Sequence, residues 1–558
     1  MFLFHRHQDL DKMESRTNFI SSIIEKMPNI IILRNFSENY GNILGRIKVL
    51  HLEVELEFDV EIQPQYPLQM HETESIRFLN SELITYNHVN RDGSICIHTT
   101  HSPDIKQKIE WDFNSLMEWI EKYYLSNSED NNYEHIVVSE YQDEVLSCYL
   151  FTDVKHSFQK HSFGNFFYSL LAVGYEGKKE KQTYLIHDFL VGKVPYECNW
   201  SSLYKQQRNF LQGIYVYIEV PPVKHKRFAV ESWSELEPFV SQEFLKFLYD
   251  IDKKGAYKKA GIKKLPLFIG YKIPTGEIHW QCAIIDTDNF PNEPLRLENG
   301  FGGQFRDIPI NWSSTKNCSY KYFFGRGKFS EKITEKKILL IGIGAVGSMV
   351  ATTLTRGGCK FLSLVDYEVK EPENVCRSEY DFNTGINNKV IDLGLKLTKI
   401  SPFVEIIPDV IMMDAIKYFI NNGKSEEAIK KHIEEFDIII DCTTDDDVAY
   451  ILDFLNLTNE IISLSITNNA KELLCSVKPN LYEWLNNRNN LNLKNDGAFY
   501  EPTGCWSPTF KASYNDISVL VQFALKHINL SIESGKPLRH FFLSAETENE
   551  FNIKLHQY

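Results

Sequence analysis

The fold of the C-terminal part of this chain is indicated by the stretch KILLIGIGAVG, residues 337–347. The apolar run Lys337–Ile341 predicts a buried strand, and the residues Val346–Arg356 predict the helix that follows it. Between the two lies the pattern G-x-G-x-x-G, formed by Gly342, Gly344 and Gly347. Glycines in such a turn let the backbone approach a phosphate, to which the helix N-terminus presents free N–H groups. The stretch therefore predicts a strand, turn and helix that bind a nucleotide.

The sequence around this stretch alternates further strands with helices. Phe361–Asp366 and Asp437–Asp441 are apolar runs that end in a carboxylate, which predicts a doubly wound α/β domain with a parallel sheet. Asp366 lies 22 residues beyond Gly344, where such folds place an acid on a ribose hydroxyl. Ile338–Thr355 holds no charged residue, but its glycine cluster favours a buried strand and helix over a membrane span.

The residues after Asp366 indicate which kind of reaction this site catalyses. Asn374, Arg377 and Lys389 follow it in the spacing D-x7-N-x2-R-x11-K. A dehydrogenase has no need of two cations there, whereas an enzyme that attacks a triphosphate needs them on the pyrophosphate leaving group. The run Asp445-Asp446-Asp447 follows a strand and predicts carboxylates that hold Mg²⁺ on phosphates, although an aspartate also caps a helix well.

Length and composition limit the number of domains and the classes of function that this chain can have. The 558 residues predict three or four domains, and we divide them into residues 1–150, 151–325 and 326–558. A net charge of −15 argues against nucleic-acid binding as the main function. Ten scattered cysteines without a C-x-x-C pair indicate a reduced, cytoplasmic protein without a structural zinc site. The N-terminus lacks the apolar core of a signal peptide.

The first region has an α+β pattern. Asp9–Met27 predicts a helix, Ile43–Val49 and Leu52–Ile62 predict strands, and Trp111–Leu125 predicts a second helix. Between them lies the compact segment NHVNRDGSICI, residues 87–97, with a turn at Asp92-Gly93. The middle region also predicts an α+β domain, with a strand at 213–220 and a helix at 234–249, but carries no motif that points to chemistry.

Two cysteines lie in sequence contexts that suit an acyl carrier. Cys505 lies in EPTGCWSPTFKAS, a Gly/Ser/Pro-rich loop before a predicted helix at Asp516–Leu530. A helix N-terminus favours the thiolate, which is the nucleophilic form. Cys96 lies in the compact segment of the first region. Buried, inert cysteine is the common alternative for any single position.

The motifs of the last region resemble those of the ThiF/MoeB and ubiquitin-activating enzyme family over about residues 330–545. The resemblance rests on GIGAVG, VDYEVKEPENVCR with GINNK behind it, and DCTTDD. It implies a Rossmann-like domain that binds ATP and Mg²⁺ and adenylates a protein C-terminus. Asp366 would bind ribose, Arg377 and Lys389 would bind the triphosphate, and Asp445 or its neighbour Asp446 would assist Mg²⁺–ATP. By the same resemblance Cys505 carries a thioester, the domain forms a homodimer, and a second arginine comes from the partner subunit, for which Arg326 is a candidate.

The first region resembles a ubiquitin-conjugating enzyme domain over about residues 10–128. The resemblance rests on the order of the helix, the meander, Tyr66-Pro67, the segment that contains Cys96, and Trp111 before a helix. It implies that Cys96 receives the acyl group. The usual His-Pro-Asn triplet is degraded, so the group that stabilises the oxyanion is His88, Asn87 or Asn90. His98 and His101 are also close in sequence.

A conjugating-like domain followed by an activating-like domain resembles the fusion proteins of bacterial CBASS anti-phage systems. The resemblance implies a relay in which Cys505 takes the acyl group from the adenylate, Cys96 receives it, and a lysine of a target protein attacks. The substrate would be the flexible C-terminal tail of a cGAS-like nucleotidyltransferase. The alternatives are a sulfur-carrier adenylyltransferase, an NAD-dependent oxidoreductase that uses G-x-G-x-x-G with Asp366, and a non-catalytic scaffold.

Overall fold

The structure, a computed structural model, describes residues 15–69, 73–128, 136–140, 143, 145–204, 210–297, 300–409, 423–495, 512–546 and 550–558. Three sheets of four or more strands organise these residues in chain order. The first belongs to an N-terminal domain, the second to a central domain and the third to a C-terminal domain.

The N-terminal domain packs two helices on one antiparallel meander, whose strands pair in the order β1-β2-β3-β4. Alternating apolar residues along β3 and the apolar face of α2 form its core, in which the rings of Phe78 and Phe113 meet edge to face with centroids 5.0 Å apart. The predicted helix at 111–125 begins earlier, because the Asp104 carboxylate caps α2 by accepting from the N–H groups of Lys106 and Gln107. The elements are α1 Arg16–Ile24, β1 Ile30–Asn39, β2 Asn42–His51, β3 Val54–Ile62, β4 Ile76–Leu79 and α2 Ile105–Trp119, which continues as a wider turn to Leu125.

The central domain is built on a sheet that closes on itself. Its strands pair in the order β5-β16-β13-β12-β9-β6-β7-β8, and β7 also pairs with β5. Large aromatic side chains fill the resulting barrel, and helix α5 covers one outer face. The strands are β5 Val145–Phe151, β6 Phe163–Glu176, β7 Lys179–Val191, β8 Val194–Glu197, β9 Leu211–Glu219, β10 Val223–Lys224, β11 Phe228–Ala229, β12 Lys264–Lys272, β13 Ile278–Asp286, β14 Asn292–Leu297, β15 Gly300–Phe305 and β16 Asn311–Asn317. The helices are α3 Ser201–Tyr204, α4 Trp233–Leu236, α5 Gln242–Lys254 and α6 Ala256–Lys259.

Two predictions about the central domain are wrong. The boundary at residue 150 cuts through β5, which pairs with β7 and β16 and therefore belongs to the central barrel. The helix predicted at 234–249 is broken, because Pro238 cannot donate a backbone hydrogen bond and the Ser241 hydroxyl accepts from Phe244 N–H, which starts a new helix.

The C-terminal domain is the predicted doubly wound fold. Its sheet has the order β19-β18-β17-β20-β21-β22-β23-β24, parallel from β19 to β21 and antiparallel from there to β24. Helices α9, α10 and α14 cover one face, and α12 and α13 cover the other. The strands are β17 Lys337–Ile341, β18 Phe361–Val365, β19 Glu405–Asp409, β20 Ile438–Asp441, β21 Glu460–Thr467, β22 Glu472–Val477, β23 Phe541–Glu546 and β24 Asn552–Gln557. The helices are α7 Tyr320–Phe323, α8 Glu331–Thr334, α9 Ala345–Arg356, α10 Lys389–Ile400, α11 Gly423–Ile433, α12 Asp446–Phe454, α13 Leu481–Asn495 and α14 Tyr514–Glu533.

Strand order creates a crevice at one edge of this sheet. The chain goes from β17 to β18 on one side, and β20 then pairs with the opposite side of β17. The connections after these strands therefore diverge at their carboxyl ends, where open α/β sheets bind ligands. The glycine loop, Asp366 and the run at 443–445 all follow these three strands. None of the helices in the described ranges is long and apolar enough to span a membrane.

Candidate active site

Close packing requires glycine at two positions of the glycine loop. Gly342 has a φ of +77°, and a Cβ there would lie 2.8 Å from the backbone of Thr443. A Cβ on Gly347 would lie 1.9 Å from the carbonyl oxygen of Gly342. Gly344 differs from both, because a Cβ there would meet nothing within 4 Å. The absence of a side chain at Gly344 keeps open the space in front of the loop.

The helix behind the loop begins without a side-chain cap. Gly344 is the N-cap of α9 and provides no side-chain acceptor for the first N–H groups of the helix. Those N–H groups and the positive end of the helix dipole are suited to an anion. The loop itself is held from both sides, since Ile343 N–H donates to Asp366 Oδ2 at 2.9 Å and the Tyr380 hydroxyl donates to the Ile343 carbonyl at 2.6 Å.

The predicted nucleotide residues converge on one cavity of about 540 Å³ in front of this loop. Of the residues named from the sequence, those that line it are Gly342, Gly344, Asp366, Asn374, Arg377, Lys389 and Asp445. Gly347 does not line the cavity, but it packs closely against the carbonyl oxygen of Gly342. Arg326 is exposed and does not line this cavity.

The two cations of the cavity are held differently. The Lys389 side chain is 5% exposed, and its ammonium group forms an ion pair with the Glu368 carboxylate. Arg377 ends the short turn Pro372–Arg377 and forms no hydrogen bond or ion pair with the described residues. Asn374 stabilises that turn, because its Oδ1 accepts from Glu371 N–H at 2.8 Å. Lys389 is therefore held at the cavity wall by an ion pair, whereas Arg377 lines the same cavity without such a partner among the described residues.

Asp366 is a buried carboxylate with backbone partners on both oxygens. Oδ2 accepts from Ile343 N–H, and Oδ1 accepts from Glu368 N–H at 2.8 Å. Burial raises the pKa of Asp366, and the two backbone hydrogen bonds act in the opposite direction. The same acid that is predicted to bind ribose thus also orients the glycine loop.

Of the three aspartates in the acidic run after β20, Asp445 lines the nucleotide cavity. Asp445 caps α12 by accepting from Asp447 N–H at 3.0 Å, and it lines the nucleotide-sized cavity. Asp446 lines a smaller neighbouring cavity of about 170 Å³, which Asp445 also lines. Burial raises the pKa of Asp446, and the neighbouring carboxylates of Asp445 and Asp447 raise it further. Buried Asp441 holds the turn in place by accepting from the N–H and hydroxyl of Thr443.

The surroundings of Cys96 form a second candidate site, in the N-terminal domain. Cys96 is partly exposed, and its N–H donates to the carbonyl of His88 at 2.7 Å. The His88 ring packs against the ring of Tyr123 with centroids 4.4 Å apart. Cys96 Sγ lies 3.3 Å from His98 Nε2.

The two asparagines considered for the oxyanion have other partners. Asn87 Nδ2 donates to the carbonyl of Ser128 at 3.1 Å, and Asn90 Nδ2 donates to the hydroxyl of Ser94 at 3.0 Å. Both bonds stabilise the loop that presents Cys96. The oxyanion role of His88, Asn87 or Asn90 stays a prediction.

Cys505 lies outside the described residues, so its role also stays a prediction. The helix expected after it is present as Tyr514–Glu533, which begins at a capping box between Ser513 and Asp516.

Two residues that support the nucleotide site were not found from the sequence: Glu368, which lines the cavity, and Tyr380, which is buried and does not line it. Glu368 pairs with Lys389, and its position two residues after Asp366 at the end of a strand is a usable signal. Tyr380 supports the loop through its hydroxyl, but nothing in the sequence marks a tyrosine at that distance from the glycines.

Residues 319–461 match the ThiF family. That range contains the glycine loop, Asp366, Lys389 and Asp445 of the site described above, so this part of the chain is similar to the ThiF family. Among individual proteins, the chain is 28% identical over 390 residues to the ATP-dependent ubiquitin transferase-like protein Cap2 of Enterobacter hormaechei subsp. hoffmannii. That alignment covers 64% of this chain and 63% of the Cap2 protein, so the chain spans less than two thirds of this relative's length.

Two further relatives match shorter stretches. Ubiquitin-like modifier-activating enzyme 5 of Drosophila erecta is 40% identical over 76 residues, which cover 14% of this chain and 19% of that enzyme. Molybdopterin-synthase adenylyltransferase of Haemophilus influenzae is 27% identical over 124 residues, which cover 22% of this chain and 46% of that enzyme. Among solved structures, E. coli MccB with ATP has a TM-score of 0.30 and 16% identity over 41% of this chain and 64% of MccB.

Proposed function

We propose that this protein activates the C-terminal carboxylate of another protein as an acyl-adenylate and passes the acyl group to Cys505, to Cys96 and finally to a lysine. The observation that best supports the adenylation step is that Arg377, Lys389 and Asp445 line the same cavity as the glycine loop. The similarity to Cap2, which is named as an ATP-dependent ubiquitin transferase-like protein, supports the same class of reaction.

The cavity has the charges that adenylation requires. A carboxylate oxygen attacks the α-phosphorus of ATP, and the bond from that phosphorus to the bridging oxygen breaks, so that pyrophosphate leaves with added negative charge. Fixed cations stabilise this charge more than that of the ground state, which lowers the barrier. In this proposal Lys389 and Arg377 supply the cations, and the uncapped start of α9 supplies N–H donors to the phosphates.

Asp445 would share a Mg²⁺ ion with the phosphates of ATP, although the described residues hold no group of three or more His, Cys, Asp or Glu that would bind a metal ion by themselves. Asp445, Asp446 and Asp447 are crowded enough that each of the other two raises the pKa of Asp446, and a divalent cation relieves such repulsion. When bound, Mg²⁺ neutralises phosphate charge. Asp445 is the residue that would hold it, because Asp445 lines the cavity directly.

The N-terminal domain supports a transfer step after adenylation. Its helix, four-stranded meander, irregular cysteine loop and second helix are in the order expected of a ubiquitin-conjugating-like domain. Cys96 is partly exposed in that loop, as an acyl acceptor must be. We propose that the substrate is the flexible tail of a cGAS-like nucleotidyltransferase, primed for anti-phage defence, and that the protein acts in the cytoplasm.

A sulfur-carrier adenylyltransferase is the second candidate. The observation in its favour is the alignment with the molybdopterin-synthase adenylyltransferase over 124 residues, which is 22% of the chain. This alternative leaves the N-terminal domain and Cys96 without a role. An NAD-dependent oxidoreductase is less favoured, since it has no use for Lys389 and Arg377 at the cavity wall.

The test is ATP–pyrophosphate exchange by the full chain with a candidate nucleotidyltransferase. We expect exchange with the intact protein in Mg²⁺, and its loss when the last residues of that protein are removed or when EDTA is added. The tail is required because the carboxylate must reach the α-phosphate, and the metal is required because Asp445 and phosphate repel each other without it. Exchange that persists in EDTA would exclude the metal role. Exchange with a sulfur-carrier protein alone would favour the second candidate.

We also propose a homodimer formed through an apolar surface beside the nucleotide cavity. The turn at 381–386 packs on α10, where Lys396 Nζ donates to Asp381 Oδ1 at 3.0 Å. This surface exposes Phe382 at 77%, Ile386 at 70% and Leu395 at 57%. Such clustered apolar exposure is typical of an interface.

Substitution Leu395→Glu should convert the dimer to a monomer, because it places a charge in the apolar contact. Light scattering after size-exclusion chromatography measures the mass, which should fall to that of one 65.0 kDa chain. Tyr40→Glu is the control, since Tyr40 is fully exposed on the N-terminal domain and its variant should stay dimeric. A wild-type protein of single-chain mass would exclude the homodimer.

A further inference from the structure

We infer that His98 is a catalytic residue that takes the proton of the Cys96 thiol and keeps the sulfur in its nucleophilic form. The inference deepens the proposed conjugation step and rests on it for its biological purpose. The thiol–imidazole pair itself can be measured without ATP or any protein substrate.

The geometry of the pair follows from the local backbone. Ile95 lies beside β4, where its N–H donates to the carbonyl of Phe78 at 2.8 Å, and the next N–H, that of Cys96, donates to the carbonyl of His88. Ile95 and Ile97 are buried at 4% each, whereas Cys96 is partly exposed and His98 is exposed. The thiol and the imidazole therefore share the solvent-facing side, with Sγ and Nε2 3.3 Å apart.

A buried polar network anchors the chain directly after the pair. Thr99 N–H donates to Glu74 Oε1 at 3.1 Å, and the Thr99 hydroxyl donates to Asp112 Oδ1 at 2.6 Å. The fully buried ammonium group of Lys108 forms ion pairs with both carboxylates. On the other side, Cys96 N–H is bound by the carbonyl of His88. Hydrogen bonds therefore hold the backbone on both sides of the pair.

The charged groups nearest the pair belong to the network in contact with Thr99 and to one ion pair across the loop. The network in contact with Thr99 holds Glu74 and Asp112 against the single positive charge of Lys108. Across the loop, Arg77 and Asp92 form an ion pair. Among the described residues, further titratable groups of this region include Tyr66, whose hydroxyl donates to Asp112, His88, which packs on Tyr123, and the exposed His101. An imidazolium beside the thiol offsets the cost of the thiolate, which is how paired cysteines become reactive near neutral pH.

Acyl transfer to Cys96 forms one carbon–sulfur bond and breaks another. The proton of Cys96 moves to His98 Nε2, which gives a thiolate and an imidazolium. The thiolate attacks the carbonyl carbon of the acyl group carried on the donor cysteine, and a new carbon–sulfur bond forms. The carbon–sulfur bond to the donor breaks, and the donor leaves as a thiolate that takes a proton from water.

The test is the pH dependence of Cys96 alkylation by iodoacetamide in the full chain, followed by mass spectrometry of the peptide that contains Cys96. We expect His98→Ala to slow alkylation at pH 7 by about tenfold and to move the midpoint of the profile up toward about 8.5, the pKa of an unperturbed cysteine. The exposed Cys376 is an internal control in the same sample, and its profile should not change. His101→Ala is the matched control variant.

The outcomes separate this inference from the proposed function. An unchanged Cys96 profile in His98→Ala overturns the role of His98, whether or not the chain forms conjugates. A shifted profile supports the pair even if no acyl transfer is found. A changed Cys376 profile or a lowered melting temperature in His98→Ala would mean that the variant acts through the fold, which also overturns the inference.

Discussion

Replacing Lys389 by alanine should lower ATP–pyrophosphate exchange by at least about 100-fold, the usual effect of removing one group that stabilises charge in a transition state. Lys389 is the first residue of α10, and its side chain is almost completely buried at the cavity wall. Its loss also leaves the Glu368 carboxylate beside the triphosphate with no cation to neutralise it. The effect should therefore exceed that of a simple missing contact.

Two further variants make this prediction specific. Lys399→Ala removes an exposed lysine from the last turn of the same helix and should leave exchange unchanged. The double variant Lys389→Ala/Glu368→Gln should recover part of the lost activity, because it removes the repulsion between Glu368 and the phosphates. Exchange by Lys389→Ala at the wild-type rate would refute the assignment of Lys389 to the triphosphate.

The C-terminal fold was predictable because its signals are local. The run KILLI forms β17, the glycines follow it directly, and Asp366 follows the next strand, β18. The convergence of Arg377, Lys389 and Asp445 followed from the same topology, because strands that lie side by side bring their following loops together.

The central barrel could not be predicted in the same way. Alternation along a strand indicates which side is buried but not which strand is its neighbour. Val145–Phe151 pairs with residues 180–185 and 314–317, which are far away in sequence. The boundary at residue 150 was wrong for this reason.

The sequence also did not indicate which side chains contact each other. His98 was visible as a histidine near Cys96, but only the structure brings its Nε2 to 3.3 Å from Cys96 Sγ. The position of Glu368 after Asp366 marks it as a residue near the cavity, but it does not indicate the ion pair with Lys389, which lies 21 positions further along the chain.

The two cysteines of the proposed relay should fail at different steps when each is replaced by alanine. Cys505→Ala removes the nucleophile that captures the adenylate, so neither domain should form a thioester, and adenylation should survive. Cys96→Ala leaves that capture intact, so the acyl group should stop on Cys505 as a band that dithiothreitol removes, with no isopeptide product. Non-reducing gels of both variants with ATP and the substrate protein measure these outcomes, and Cys376→Ala is the control for an exposed cysteine.

The order of the relay follows from where the adenylate forms. ATP is activated in front of the glycine loop, and the sequence places Cys505 in the same domain, whereas Cys96 belongs to the N-terminal domain. Tethering both cysteines on one chain raises the effective concentration of the second acceptor, which makes transfer between them efficient. If Cys505→Ala still loads Cys96 at the wild-type rate, the relay is wrong. Cys96 would then take the acyl group directly from the adenylate, and Cys505 would have a structural role.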